Sequence, residues 1–280
     1  MNAPPLASAY AHCGASLRAG ALDPWLAALF APAAARPHLH ALWLFEHELA
    51  SLRDKIRQPM AGEIRLQYWR DILAGQPHGD ATGNPLAMAL LDTIETCHLP
   101  RAAFLTLLDA RVFDVYDDPM PDVATLEGYG GETSAAILRL ASLILAGGTD
   151  PGGAGAAGHA GLALAITRIL ADLPRTSARG QVLLPADILA SAGIGPGDIV
   201  ARRDSAGLRA ALAQLRAMAR DHARKAQAEM GLNRALIAPA FLGLPVAELY
   251  LRAMDTSGYL PFDTFVNVPQ WRRQWAMWRM

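Results

Sequence analysis

The feature that most constrains this chain is the period of its apolar residues. They recur at spacings of three and four almost from end to end, and alternating Val, Ile, Thr or aromatic runs bounded by turn residues are nearly absent. A 3.6-residue period puts apolar groups on one stripe of a helix, whereas a half-buried strand needs a period of two. An all-α chain is therefore expected. Its helices are predicted over Pro24–Phe30, Pro37–Ile56, Gly62–Leu73, Pro85–Cys97, Arg101–Tyr116, Thr125–Ala146, His159–Leu173, Pro185–Ser191, Ser205–Met230, Ala235–Asp255 and Pro269–Arg279. The Pro- and Gly-rich punctuation at Gln76–Gly83, Gly147–Gly158 and Ala192–Gly197 is too short to act as flexible linker, and no segment repeats at a fixed period. With 280 residues and 52% apolar content, one domain with a substantial core is expected.

Charge narrows the function. Lys and Arg total 25 against 26 Asp and Glu, so no global positive field gathers nucleic acid. Only Lys55 and Lys225 are lysine, which leaves anion handling to arginine, the better bidentate partner for phosphate and carboxylate. Cys13 and Cys97 lack the spacing of a zinc ribbon or a disulfide framework, so a reducing, cytoplasmic setting is expected. The nearly uncharged run from Ala141 to Thr167 is interrupted midway by Gly147, Gly148, Pro151, Gly152, Gly153, Gly155 and Gly158, which argues against a spanning helix. The first 22 residues are free of acids but carry only Arg18, short of a transit-peptide pattern.

Several catalytic patterns fail on context. Gly153, Gly155 and Gly158 match GxGxxG with Asp172 downstream, but a dinucleotide site needs a preceding strand, and the pattern before Pro151 is helical. A Gly-rich interhelical loop is expected there. Serine-hydrolase, P-loop and HExxH spacings are absent, and no two histidines lie four apart on one helix. His38, His40 and His47 read as solvated or satisfied histidines.

Two stretches carry a resemblance. One is ALWLFEHELASLRDKIRQPMAGEIRLQYWRDIL, from Ala41 to Leu73; the other is ITRILADLPRTSARGQVLLPADIL, from Ile166 to Leu189. Together they resemble the squalene/phytoene synthase family, from about Ser8 to the C-terminal end. The resemblance implies an isoprenoid-synthase-type single-domain helical bundle around a central apolar cavity, with Pro37–Ile56 and His159–Leu173 facing each other. In that family, acids four apart on two facing helices hold Mg2+ against a prenyl diphosphate, and an allylic cation is left in a dry pocket.

Here the first motif's acids fall on Ala50, Ser51 and Asp54, and the second's on Asp172, Arg175 and Thr176, so only Asp54 and Asp172 survive. Tyr129 matches the tyrosine before the family's middle helix, RLQYWRD at Arg65–Asp71 matches a tryptophan-rich segment, and Arg179-Gly180 with Leu184-Pro185 matches the turn after the second motif. If the chain is an active prenyltransferase on C15 or C20 diphosphates, the resemblance makes Asp54, Asp172 and Tyr129 its catalytic set and the two aspartates weak Mg2+ ligands. Arg53, Arg168, Arg175 and Arg179 surround these acids. They are solvated, pair with Asp54, Asp172 and Asp187, or bind an anion such as an isoprenoid diphosphate or a lipid headgroup.

FEHELASLRD followed by QPMAGEIRLQYWRD is similar to a divergent branch that includes the mitochondrial respiratory complex I assembly factor and its bacterial relatives. That branch implies a non-catalytic assembly role beside a respiratory-complex subunit, at the inner face of an energy-transducing membrane. A carrier of isoprenoid lipid is a further alternative. The closing PQWRRQWAMWRM places Trp271, Trp275 and Trp278 at i, i+4 and i+7. Such a face suits a membrane interface or a partner groove, or docks back onto the core as the family's terminal helix implies.

Overall fold

Three helices begin where a side chain accepts from their unpaired first amides. The Asn84 side chain accepts from the amides of Leu86 and Ala87 at 3.0 and 3.2 Å, with Pro85 at the first helical position. Asp122 accepts from Thr125 at 2.7 Å, and Ser205 from Leu208 at 3.1 Å. Pro37 and Pro59 stand in the first turns of two helices that have no side-chain cap, where a missing N–H costs nothing. The computed structural model describes residues 6–75, 83–231 and 233–280. Among these there are helices and no strand, so the all-α expectation holds.

In chain order the helices are α1 (Leu6–Gly20), α2 (Leu22–Ala28), α3 (Arg36–Ala50), α4 (Leu52–Lys55), α5 (Pro59–Leu73), α6 (Pro85–Thr96), α7 (Arg101–Ala110), α8 (Val112–Tyr116) and α9 (Val123–Gly130). A π turn over Gly131–Ala135 leads into α10 (Ala136–Leu145). There follow α11 (Ala154–Ala178), α12 (Ala186–Ser191), α13 (Pro196–Val200), α14 (Ala206–Glu229), α15 (Arg234–Phe241), α16 (Gly243–Met254) and α17 (Gln270–Trp278).

The residues pack as two compact units, one drawn from residues 1–116, 136–152 and 231–242 and the other from 117–135, 153–230 and 243–280. In the first, α1 lies against α3 and α6. Its buried stripe is Ala9, Cys13 and Leu17. A Cβ at Gly14 would stand 3.0 Å from the His40 ring, and one at Gly20 would stand 2.7 Å from His47. The α1 helix went unpredicted because its contact face is built from small residues and glycine, which carry little hydrophobic periodicity.

In the second unit α11 runs along α14. On α14 the stripe Leu208, Ala211, Leu212, Leu215, Ala219 and Ala226 is buried, on α11 Ala156, Ala157, Ala160 and Ala163 are buried, and the two helices meet at His159 and His222.

Several boundaries differ from the sequence reading. The predicted Pro37–Ile56 helix ends at Ala50, because the Ser51 hydroxyl donates to the His47 carbonyl at 2.6 Å and the backbone leaves helical geometry there. Arg111 divides the predicted Arg101–Tyr116 helix into α7 and α8. The predicted His159–Leu173 helix runs from Ala154 to Ala178 and passes through Pro174. Gly155 and Gly158 thus belong to a helix rather than to a loop. Gly153 takes φ of +78° as its N-cap, and a Cβ at Gly155 would collide with the Glu229 carboxylate. The α11 helix is long and apolar enough to cross a membrane, and most of it is buried against its neighbours. The predicted Gln76–Gly83 connection lies, except for Gly83, outside the described residues.

Candidate functional site

The site residues of the second unit are arranged along one side of α11. Gly130 and the π turn press against this helix: a Cβ at Gly161 would stand 2.4 Å from the Ala135 amide nitrogen, and one at Gly130 would stand 3.2 Å from the Leu162 side chain. At Gly161 only glycine permits that approach. The widened π register is tied by the Thr133 hydroxyl, which donates to the Tyr129 carbonyl at 2.6 Å. The result is a buried Tyr129 whose phenol oxygen accepts a hydrogen bond from the Arg168 guanidinium at 3.1 Å.

Arg168, Asp172, Arg175 and Arg179 follow at steps of four, three and four, and all four are at least partly exposed while Ile169, Leu170, Leu173 and Thr176 between them are buried. At about 1.5 Å per residue the row is about 16 Å long, so a single phosphate group meets two of its arginines more readily than all three. Arg175 is ion-paired and hydrogen-bonded to Asp172. Arg179 donates through Nε at 3.1 Å to the side-chain oxygen of Gln181, which is buried. Asp187 caps backbone instead, accepting from the amides of Val123 at 3.2 Å and Ile188 at 2.7 Å.

In the first unit Arg53 donates to the Ile56 carbonyl at 3.3 Å, and the neighbouring Asp54 is exposed on α4. The motif positions beside Asp54 hold Ala50 and Ser51, and those beside Asp172 hold Arg175 and Thr176. Among the described residues no group of three or more His, Cys, Asp or Glu side chains could share a metal ion. Mg2+ asks for near-octahedral oxygen coordination, and one carboxylate per motif, one of them already bridged by an arginine, does not fit that demand.

Three constellations escaped the sequence reading. Arg111 is buried between Glu46 at 2.5 Å and Asp114 at 2.8 Å. Tyr10 donates to Asp92 at 2.6 Å and lies 2.9 Å from His38 and 3.0 Å from Thr93. His159 and His222 join their Nδ1 atoms at 3.0 Å, with Glu229 3.5 Å from the first ring. Burial, reinforced by His159, lowers the His222 pKa below the ordinary imidazole value. Their separations of 65, 82 and 63 residues leave no local signal.

The described architecture is that of an isoprenoid-synthase-type helical protein. The chain is similar to the squalene synthase HpnC from Alicyclobacillus acidocaldarius, with 25% identity, a TM-score of 0.77, and 93% of this chain and 98% of that one covered. The sequence pattern of the squalene/phytoene synthase family matches residues 17–279, and the chain belongs to that family. It is 27% identical over 264 residues to the NADH dehydrogenase (ubiquinone) complex I assembly factor 6 of Rattus norvegicus, across 94% of this chain and 78% of that protein. It is also 29% identical over 170 residues to a presqualene diphosphate synthase of Zymomonas mobilis, across 58% and 56% of the two chains.

Proposed function

We propose that this chain is a non-catalytic member of its family, serving an assembly role of the respiratory complex I kind, with the α11 row as a metal-independent site for a phosphate-bearing isoprenoid or lipid. The observation that carries the reading is the exchange of charge at the second motif. Where the family resemblance puts carboxylates, the chain carries Arg175 and Thr176, and Arg175 occupies the one carboxylate left, Asp172. An arginine presents a planar, permanently charged fork to phosphate oxygens, so it neutralises a diphosphate without a cation. The Asp172–Arg175 pair is half in solvent, and such pairs contribute only about 0–1 kcal/mol, so an incoming anion displaces the carboxylate at little cost. The likeness across 94% of the chain to a complex I assembly factor supports the assembly role.

The likeness to presqualene diphosphate synthase favours a second reading, an active head-to-head prenyltransferase. One experiment separates them. A non-hydrolysable farnesyl diphosphate analogue is titrated against the wild type, Arg175→Ala and Arg179→Ala, with and without a chelator, and farnesyl diphosphate turnover is assayed with Mg2+. The expected result is binding that ignores the chelator, weakens about tenfold or more in each variant, and is accompanied by no product. Chelator-sensitive turnover establishes the prenyltransferase instead.

A further inference from the structure

The C-terminal helix α17 docks through one side only. Met277 is buried, Arg273 and Ala276 are partly covered, and the helix rests against α16. The opposite side carries Trp271, Trp275 and Trp278, exposed to 68%, 55% and 68%, with the last two rings stacked at 5.2 Å. At about 100° of turn per residue the three indoles fall within an arc of about 60°, and Arg272 and Arg279 lie about 80–100° from Trp271 along one rim. The helix therefore presents a ridge of indoles bordered by cations. Phe265, in the segment leading into it, is exposed to 69%.

Charge identifies what this ridge meets. From Thr264 to Met280 there are three arginines and no Asp or Glu. Elsewhere in the same unit Arg202, Arg203, Arg209, Arg220, Arg224 and Arg252 each meet a carboxylate. Arg272 and Arg279 meet none among the described residues. Tryptophan differs from leucine or isoleucine in pairing an apolar body with a polar N–H, which suits the headgroup region of a bilayer rather than a dry protein core. A second copy is a poor occupant. Two-fold pairing of the ridge would bring like-charged rims together, and a nine-residue helix about 14 Å long falls short of the ~800 Å² per partner of a stable dimer.

We infer that α17 is an interfacial anchor that seats the second unit on an anionic lipid bilayer, Trp271, Trp275 and Trp278 entering the headgroup layer while Arg272 and Arg279 contact phosphates. The anchor is independent of the α11 anion site and stands whether or not that site binds.

Sedimentation with sucrose-loaded vesicles tests it, using phosphatidylcholine alone and an equal mixture with phosphatidylglycerol. Wild-type protein is expected to pellet with the mixed vesicles. The triple variant Trp271→Ser, Trp275→Ser, Trp278→Ser should lose more than about tenfold in partitioning. The pair Arg272→Gln and Arg279→Gln should lose about fivefold per arginine on the mixed vesicles and leave the phosphatidylcholine control unchanged. Quenching of wild-type tryptophan fluorescence by brominated lipid provides a readout that needs no variant. Absence of quenching, equal partitioning of the triple variant, or a wild-type dimer that the triple variant dissolves and that ignores vesicles overturns the inference.

Discussion

In the first unit Arg111 is 1% exposed and held by two carboxylates, Glu46 from α3 and Asp114 from α8, whereas in the second Arg175 faces Asp172 with 48% of its side chain accessible. The chemistry of the two contacts is the same and their consequences are opposite. A guanidinium inside the protein has lost its water and must keep both partners, because either one left behind is a desolvated charge. A guanidinium at the surface keeps water as an alternative, so its carboxylate can be exchanged for another anion. The contrast shows where an arginine is fixed as structure and where it remains available as a site.

The largest effect that sharpens this contrast is expected at Arg111. Replacing it by Met keeps much of the volume but leaves Glu46 and Asp114 facing each other, and should cost about 3–5 kcal/mol in urea unfolding. A loss below about 1 kcal/mol would remove the energetic distinction between the two units.

An intermediate effect is expected from pH. On α3 of the first unit, burial lowers the pKa values of His38, His40 and His47. Asp92 opposes the shift at His38, Arg36 adds to it at His40, and at His47 Lys55 adds to it while Glu46 opposes. The unfolded chain therefore binds protons first, near the ordinary histidine value of about 6.5. Stability is complete above that pH and is lost as the pH falls through the lower folded-state values. Thermal melts from pH 7.5 to 5 should show the decline, with signals from the first unit leading, since these three histidines lie there while the second unit contributes His222, which burial lowers in the same way. A flat profile would break the comparison at this point.

The smallest effect belongs to Arg175. Its replacement by Ala should shift stability by no more than about 0.5 kcal/mol, the scale of an exposed i,i+3 ion pair. A stability cost near that of Arg111 would show that the row on α11 is structural.

How much was legible in the chain follows from the range of each interaction. Apolar periodicity is local, so the helical class and most helices could be read directly, as could the family resemblance in FEHELASLRD and in ADLPRTSARG. The break after Ala50 and the π turn were not legible, because each depends on backbone bonds made by the hydroxyls of Ser51 and Thr133 rather than on a hydrophobic pattern. Tyr129 and Arg168 were both singled out, yet their hydrogen bond joins positions 39 residues apart and emerged only from the fold. The α1 helix was missed because its buried side offers alanine and cysteine beside a single leucine, Leu17, too few large apolar groups to show a period.

Pro174 sits in α11 between Asp172 and Arg175. Lacking an N–H, it cannot close the backbone rung to Leu170, and its ring crowds the turn below. Downstream of it, the Ser177 hydroxyl donates to the Leu173 carbonyl at 2.7 Å and the Thr176 hydroxyl to the Asp172 carbonyl at 3.2 Å, so the Leu170 carbonyl gains no partner from either. The helix continues as one element from Ala154 to Ala178 with a single backbone rung missing. Arg168, hydrogen-bonded to Tyr129, lies upstream of the missing rung, and Arg175 and Arg179 lie downstream of it. In the anion site proposed above, the missing rung would let Arg168 on one side and Arg175 and Arg179 on the other adjust separately to an anion's length.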